Sequence, residues 1–316
     1  MSTIETVLVT GDHDEQMQER IREVAGDAEV IFASSAASAT DALDRATVIA
    51  GSAPPSVLAA APKLRWVHSW AAGADSDLTA EMRASDVVLT SSVGNGAIPL
   101  AEHSLMLMLM LNREAPRWMR AQHERRWERF THGELNGLTV GLFGVGHAGA
   151  DLARKAQAFH MTVLGCRRNA EVSVEGVDEM YPPERLHEFL TRCDMVVVTA
   201  PITADTAGVF DEAAFRAMKS TAFFICISRG GIADDDALLR ALREGWIAGA
   251  GLDAHGIEPL AEDSPFWDAP NTIVTPHNGA TTAATARRGR EIFLENLARH
   301  VAGDPLTNVV DKVAGY

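Results

Sequence analysis

The sequence predicts an α/β protein of two parallel-sheet domains, and three observations carry that prediction. Short β-rich runs alternate with segments of helical composition in two separate series. The runs of the second series are continuously apolar, as strands covered on both faces are. Finally, 316 residues with 47% hydrophobic and 22% charged side chains give two domains of ordinary size an adequate core.

The first series predicts strands at residues 6–10, 29–32, 47–50, 64–68 and 87–90. A long helix is expected from about Pro99. It carries the alternating Leu/Met run 105–111, apolar all round, which demands burial on most sides in a core or a subunit interface. After Asn136-Gly137 the second series predicts strands at 139–143, 162–166, 194–199, 223–227, 249–252 and 272–274. Residues 283–301 read as one long helix that, in a chain with two α/β units, crosses back to the first domain. There is no internal repeat and no low-complexity tract.

A formal net charge of −15 argues against nonspecific attachment to nucleic acid or anionic lipid, whose phosphates the chain would repel. Only four basic residues are lysines (Lys63, Lys155, Lys219, Lys312), a bias that fits a salt-adapted source or a GC-rich genome. Cys166, Cys193 and Cys226 are far apart in strand-like surroundings, so they are expected to be buried thiols, with neither a disulfide framework nor a metal site. The run 105–111 is too short to cross a bilayer and the first residues lack a signal-peptide pattern, so a cytoplasmic location is expected.

The predicted strand 139–143 runs straight into Gly144-Val145-Gly146-His147-Ala148-Gly149 and then into helical composition over 150–159. In that context the first glycine permits a tight turn, the second lets the backbone approach a pyrophosphate, and the third lets helix and strand pack closely. Amides at the helix start attract the anion. About 20 residues past such a turn, NAD-specific proteins place a carboxylate on the adenosine ribose. Here Arg167-Arg168-Asn169 follow the second strand. Two guanidiniums and no carboxylate favour the 2′-phosphate of NADP(H) over NAD(H).

Three downstream segments make a wider resemblance specific: Phe224-Ile225-Cys226-Ile227-Ser228-Arg229-Gly230-Gly231, Gly251-Leu252-Asp253-Ala254-His255-Gly256-Ile257-Glu258-Pro259-Leu260, and Thr275-Pro276-His277-Asn278-Gly279-Ala280. With Ala101-Glu102-His103 and Ser264-Pro265-Phe266-Trp267, the chain resembles the D-isomer-specific 2-hydroxyacid dehydrogenase family over nearly its whole length. The resemblance implies two Rossmann-like domains: a flavodoxin-like substrate domain of residues 1–98 and 284–316, and a doubly wound dinucleotide-binding domain of residues 99–283 inserted in it. It implies catalytic roles for Arg229, Glu258 and His277, and further cofactor contacts at Ala200, Pro201, Thr206, Ile227, Ser228, Asp253 and Gly279. It also implies substrate contacts at Ala72 and Gly73, besides Arg229 and His277, and a homodimer formed through the dinucleotide-binding domain.

The chemistry needs those residue types. Reducing a 2-keto acid requires a hydride at the carbonyl carbon, a proton for the developing alkoxide, and a cation that fixes the carboxylate and polarises the carbonyl. Arg229 can supply the cation. His277 can deliver the proton if its imidazolium is populated near neutral pH, and a hydrogen-bonded Glu258 would raise its pKa and hold the ring in one orientation.

Within Ala71-Ala72-Gly73-Ala74-Asp75, which resembles the family's carboxylate-binding loop, the opening alanines depart from the commoner glycine and bulky apolar residue, which puts substrate size in doubt. Trp66, His68 and Trp70 either line the substrate pocket or pack the core. The segment 92–96 has the composition of a connecting loop and the place of the family's hinge. His103 is expected to support the fold, and Trp127 either reaches a partner subunit or sits on a solvated helix.

The expected activity is reduction of a small 2-keto acid to the D-2-hydroxy acid with NADPH, glyoxylate or hydroxypyruvate leading. One alternative is a non-enzymatic dinucleotide-binding regulator of the corepressor kind. Another is a hydroxypyruvate- or phosphoglycerate-type NAD enzyme, though a chain of this length leaves no room for an added regulatory domain. Formate dehydrogenases usually carry Gln where Glu258 stands, so the carboxylate argues for keto-acid reduction.

Overall fold

The computed structural model describes residues 5–315. They form β1 (Thr6–Thr10), α1 (Glu15–Ala25), β2 (Glu29–Ala33), α2 (Thr40–Leu43), β3 (Val48–Ala50), α3 (Pro55–Ala60), β4 (Trp66–Ser69), α4 (Ala80–Ala84) and β5 (Val88–Ser91). Next come α5 (Ala97–Asn112), α6 (Ala115–His123), β6 (Thr139–Phe143), α7 (His147–Ala158), β7 (Thr162–Cys166), β8 (Glu179–Tyr181) and α8 (Leu186–Arg192). The chain continues through β9 (Met195–Val198), α9 (Glu212–Ala217), β10 (Phe223–Cys226), α10 (Asp235–Arg243), β11 (Gly249–Leu252), β12 (Thr272–Val274) and α11 (Ala283–Ala302). Two compact units result: one takes the described residues up to Asn95 together with those from Thr282 onward, the other Gly96–Thr281.

In the first unit the sheet order is β2-β1-β3-β4-β5, every pair parallel, which is the flavodoxin-like winding. Strand alternation explains its two cores. On β1, Val7 and Val9 face Ile21, Trp66, Phe293 and Leu297, whereas Leu8 faces the opposite side with Ile49, Val67 and Leu89. The long C-terminal helix α11 therefore belongs to this unit, its Phe293 and Leu297 fully buried.

Trp66 and His68 pack this core. Trp66 Nε1 donates to Thr90 Oγ1 at 2.8 Å, and the same hydroxyl pairs with His68 Nδ1 at 2.9 Å. His68 Nε2 then carries the proton and donates to Ser92 Oγ at 3.2 Å, which passes its own proton to Ser69 O. Every atom of this buried chain is satisfied by a neutral imidazole, and burial pushes the His68 pKa down to about 4. Trp70 is half-buried and donates to Thr10 O at 3.0 Å.

The second unit has the order β12-β11-β10-β9-β6-β7-β8, again all parallel. The winding direction reverses between β6 and β9, the switch point beside which such sheets bind ligands. The strand β8 escaped the sequence reading because Glu-Met-Tyr is three residues long and offers no apolar run. On α5, Leu107, Met108 and Leu111 are buried against β-strand residues Val140, Leu142 and Ile225, whereas Met106 stays exposed, so the Leu/Met run is core on one side only. All three cysteines are free and buried, with burial pushing Cys166 and Cys193 up to about 12 and Cys226 to about 11. Among the described residues no helix is long and apolar enough to cross a membrane, and no group of three or more metal-ligating side chains is assembled.

The buried His68 makes a testable demand. In the unfolded chain the imidazole takes up a proton near pH 6.5, but in the fold it does so only near pH 4, so the unfolded state binds more protons between those values. Stability should therefore fall by roughly 3 kcal/mol from this group as pH drops from about 6.5 to 4. Urea unfolding across that window should show the slope, and His68→Gln should flatten it; an unchanged slope in the variant would refute the assignment.

Candidate active site

The turn after β6 is shaped as a cradle. Gly144 has φ 91°, a left-handed conformation, and a Cβ there would lie 2.5 Å from Ala200 N. A Cβ on Gly149 would lie 2.6 Å from Gly144 O, so the start of α7 packs directly on the turn. A Cβ on Gly146 would meet nothing within 4 Å, and no side chain caps the start of α7. Thr199 Oγ1 donates to Gly144 O at 2.5 Å and fixes the turn to the end of β9. Val145 is buried, whereas His147 is exposed at the first helical position and Ala148 is half-buried behind it. This backbone, open at Gly146 and uncapped at the start of α7, fits a dinucleotide pyrophosphate.

Arg167 and Arg168 directly follow β7. Arg167 is half-buried and donates to Val145 O at 3.3 Å, which sets its guanidinium beside the glycine turn, and Arg168 is exposed. Past β9, Ala200 packs on Gly144 and Pro201 is exposed. The Thr206 hydroxyl donates to Pro201 O and accepts from Thr203 N, both at 2.8 Å, bracing that loop.

Arg229, Glu258 and His277 follow β10, β11 and β12, three neighbouring parallel strands, so all three emerge on the same sheet edge. Glu258 Oε1 accepts the backbone N–H of His255 at 2.9 Å, and Oε2 meets His277 Nδ1 at 2.8 Å. Partial desolvation pushes the Glu258 carboxyl up, but the His255 amide and His277 outweigh it and hold the group below the ordinary carboxylate range. With Nδ1 committed to Glu258, His277 has only Nε2 to offer a substrate. Arg229 follows Ile227 and Ser228, and its Nη1 donates to Ser228 O at 2.8 Å. Its neighbour Gly230 lies so close to the His255 carbonyl that a Cβ would sit 2.0 Å away, which presses the Arg229 loop onto the Glu258 loop.

His277 has φ 50°, which costs a non-glycine residue on the order of 1–3 kcal/mol and persists only when its surroundings impose it. Asp253 imposes it. Fully buried after β11, its Oδ1 accepts Asn278 N at 2.9 Å and the Thr275 hydroxyl at 2.6 Å, and its Oδ2 accepts Gly279 N at 2.9 Å. These donors keep the Asp253 carboxyl below its usual range against the desolvation that pushes it up. Sequence reading placed Asp253 and Gly279 in the cofactor site; it did not find that Asp253 anchors the residues on both sides of His277, for which a lone Asp after a strand gives no signal.

Ala72 and Gly73 lie in the other unit, in the loop after β4, where Ala71 N is held by Ser69 Oγ at 3.3 Å. Segment 92–95 is a turn with Asn95 N donating to Ser92 O at 3.0 Å, and Arg288 Nε donates to Asn95 O at 2.6 Å. Trp127 is 93% exposed.

Residues 105–279 match the family model of the D-isomer specific 2-hydroxyacid dehydrogenase NAD binding domain. The chain belongs to the D-isomer-specific 2-hydroxyacid dehydrogenase family. It is a nicotinamide-dependent oxidoreductase. The dehydrogenase is 34% identical over 268 residues to a glyoxylate reductase of Korarchaeum cryptofilum, covering 81% of this chain and 79% of that one. A solved NADPH-dependent glyoxylate/hydroxypyruvate reductase from Sinorhizobium meliloti, in complex with NADP and sulfate, is similar at a TM-score of 0.86 and 32% identity, over 99% of this chain and 100% of that one. A family member from Xanthobacter autotrophicus in complex with NADPH and MES is similar at a TM-score of 0.83 and 29% identity, over the whole of both chains.

Proposed function

We propose that this dehydrogenase reduces glyoxylate, hydroxypyruvate or a comparably small 2-keto acid to the D-2-hydroxy acid, preferring NADPH. The observation that carries the reading is the 2.8 Å contact of Glu258 Oε2 with His277 Nδ1, at the strand edge from which Arg229 also emerges. When bound, the reduced nicotinamide supplies a hydride to the carbonyl carbon. Arg229 fixes the substrate carboxylate and polarises the carbonyl, and His277 delivers the proton to the developing alkoxide from Nε2. Glu258 stabilises the imidazolium and holds the ring's orientation. Ala72 and Gly73 are proposed, on their sequence alone, as amide donors to the substrate carboxylate.

The NADPH preference rests on Arg167 and Arg168 at the end of β7, where no carboxylate stands to repel a 2′-phosphate. The pyrophosphate is assigned to the amides from Gly144 to Gly149, and Ala200, Pro201, Thr206, Ile227, Ser228, Asp253 and Gly279 complete the cofactor contacts. A homodimer through the dinucleotide-binding domain is proposed from the exposed Ile98, Met106, Trp118, Met119 and Trp127, apolar surface that a second copy would cover.

Replacing His277 with Ala should abolish most keto-acid reduction, by about a hundredfold or more in kcat, while NADPH binding followed by fluorescence persists. Near-normal turnover in that variant would remove His277 from the role of acid. Arg167→Asp combined with Arg168→Ala should weaken NADPH by at least about tenfold more than NADH; equal losses would overturn the phosphate assignment. Sedimentation equilibrium should return twice the chain mass, and a monomer at micromolar concentration would end the dimer proposal.

A further inference from the structure

His103, on α5, lies outside the set of groups assigned to binding or chemistry, yet it touches the residues that hold His277. Its Nε2 is 3.0 Å from Thr275 Oγ1 and 3.4 Å from Asp253 Oδ1. The Thr275 hydroxyl proton is already given to Asp253 at 2.6 Å, so Thr275 Oγ1 can only accept from the imidazole. His103 Nε2 therefore carries a proton and donates it into the Thr275–Asp253 unit. Gly279 packs against the same group, since a Cβ there would lie 2.8 Å from Asp253 Oδ2 and 3.2 Å from the His103 ring.

Thr275 is the junction of this network. Its hydroxyl links His103 to Asp253, and its carbonyl accepts His255 Nε2 at 3.0 Å and the backbone N–H of His277 at 3.1 Å. On the far side of His277, Asp253 takes Asn278 N and Gly279 N. The left-handed His277 is thus clamped before and after by one buried carboxylate, and that carboxylate is steadied by His103.

We propose that His103 is a positioning residue for the reaction: by donating to Thr275 it holds the Asp253 clamp, and through it the His277 imidazole, in register with Glu258. The inference rests on the reading of His277 as the proton donor. A ring that merely filled space would need its volume but not its donor. Misplacing an acid by a fraction of an ångström costs turnover more than substrate affinity.

The experiment compares His103→Phe, which keeps a ring and loses the donor, with His103→Gln, whose amide reaches the same oxygen. Each is assayed for kcat and KM with glyoxylate and NADPH. In His103→Phe, kcat should fall by roughly tenfold to a hundredfold with the KM for glyoxylate changed by less than about threefold, and His103→Gln should recover most of the loss. Proton NMR supplies a readout without turnover: the downfield signal of the Glu258–His277 hydrogen bond, identified by its loss in His277→Ala, should weaken in the Phe variant and return in the Gln variant. Should His103→Phe fail to fold, Gln against Asn carries the test, because Asn is too short to reach Thr275. Wild-type kcat and an unaltered downfield signal in a folded donor-less variant would overturn the proposal. A wild-type enzyme that bound NADPH but reduced no keto acid would instead defeat the reading of the active site, and the NMR comparison would still judge the clamp.

Discussion

Parallel strand pairing is the constraint from which the candidate active site of this dehydrogenase follows. In an all-parallel sheet every strand ends on the same edge, and the loops that leave those ends meet there whatever their separation in sequence. Glu258 and His277 are 19 residues apart and nevertheless share a hydrogen bond, because β11 and β12 are adjacent and in register from Ala250↔Thr272 to Leu252↔Val274. The same edge sets the glycine turn beside Thr199 and Ala200, since β6 and β9 pair where the winding reverses.

A second layer of structure turns that convergence into a fixed geometry. Backbone polar groups in loops need partners, and around His277 two carboxylates supply several of them: Asp253 takes two amides and a hydroxyl, and Glu258 takes an amide before it takes His277. The glycines act in the complementary way, by absence of a side chain. Gly230 lets the Arg229 loop lie on the His255 carbonyl, and Gly279 lets the turn after His277 lie on Asp253. Strain at His277 is the local cost of presenting its imidazole, and the Asp253 clamp is what offsets it.

Much of this was legible in the residues. β-rich or continuously apolar runs of three to six residues predicted all the strands except β8, whose Glu-Met-Tyr carries too little apolar content to stand out. The glycine turn could be recognised because each of its glycines answers a separate steric demand, and the structure meets those demands at Gly144 and Gly149. Trp66 and His68 were ambiguous in sequence because aromatic side chains suit a pocket wall and a core equally well; the hydrogen-bond chain through Thr90 and Ser92 places them in the core. His103 read as fold-supporting for a related reason: a histidine inside a helix gives no sign of what its ring reaches 172 residues away.

The sequence by itself determined the class of fold, the strand-turn-helix pattern around Gly144 and Gly149, the arginines at the end of the second strand and the chemical character of Arg229, Glu258 and His277. Those properties depend on residue type and on neighbours within a few positions, which a linear sequence preserves. Tertiary structure alone decided which oxygen of Glu258 meets His277, that Asp253 clamps the turn around it, and that His103 reaches Thr275. Hydrogen bonds are decided by tenths of an ångström between atoms that only strand pairing and helix packing bring together, and no spacing in the sequence records such distances.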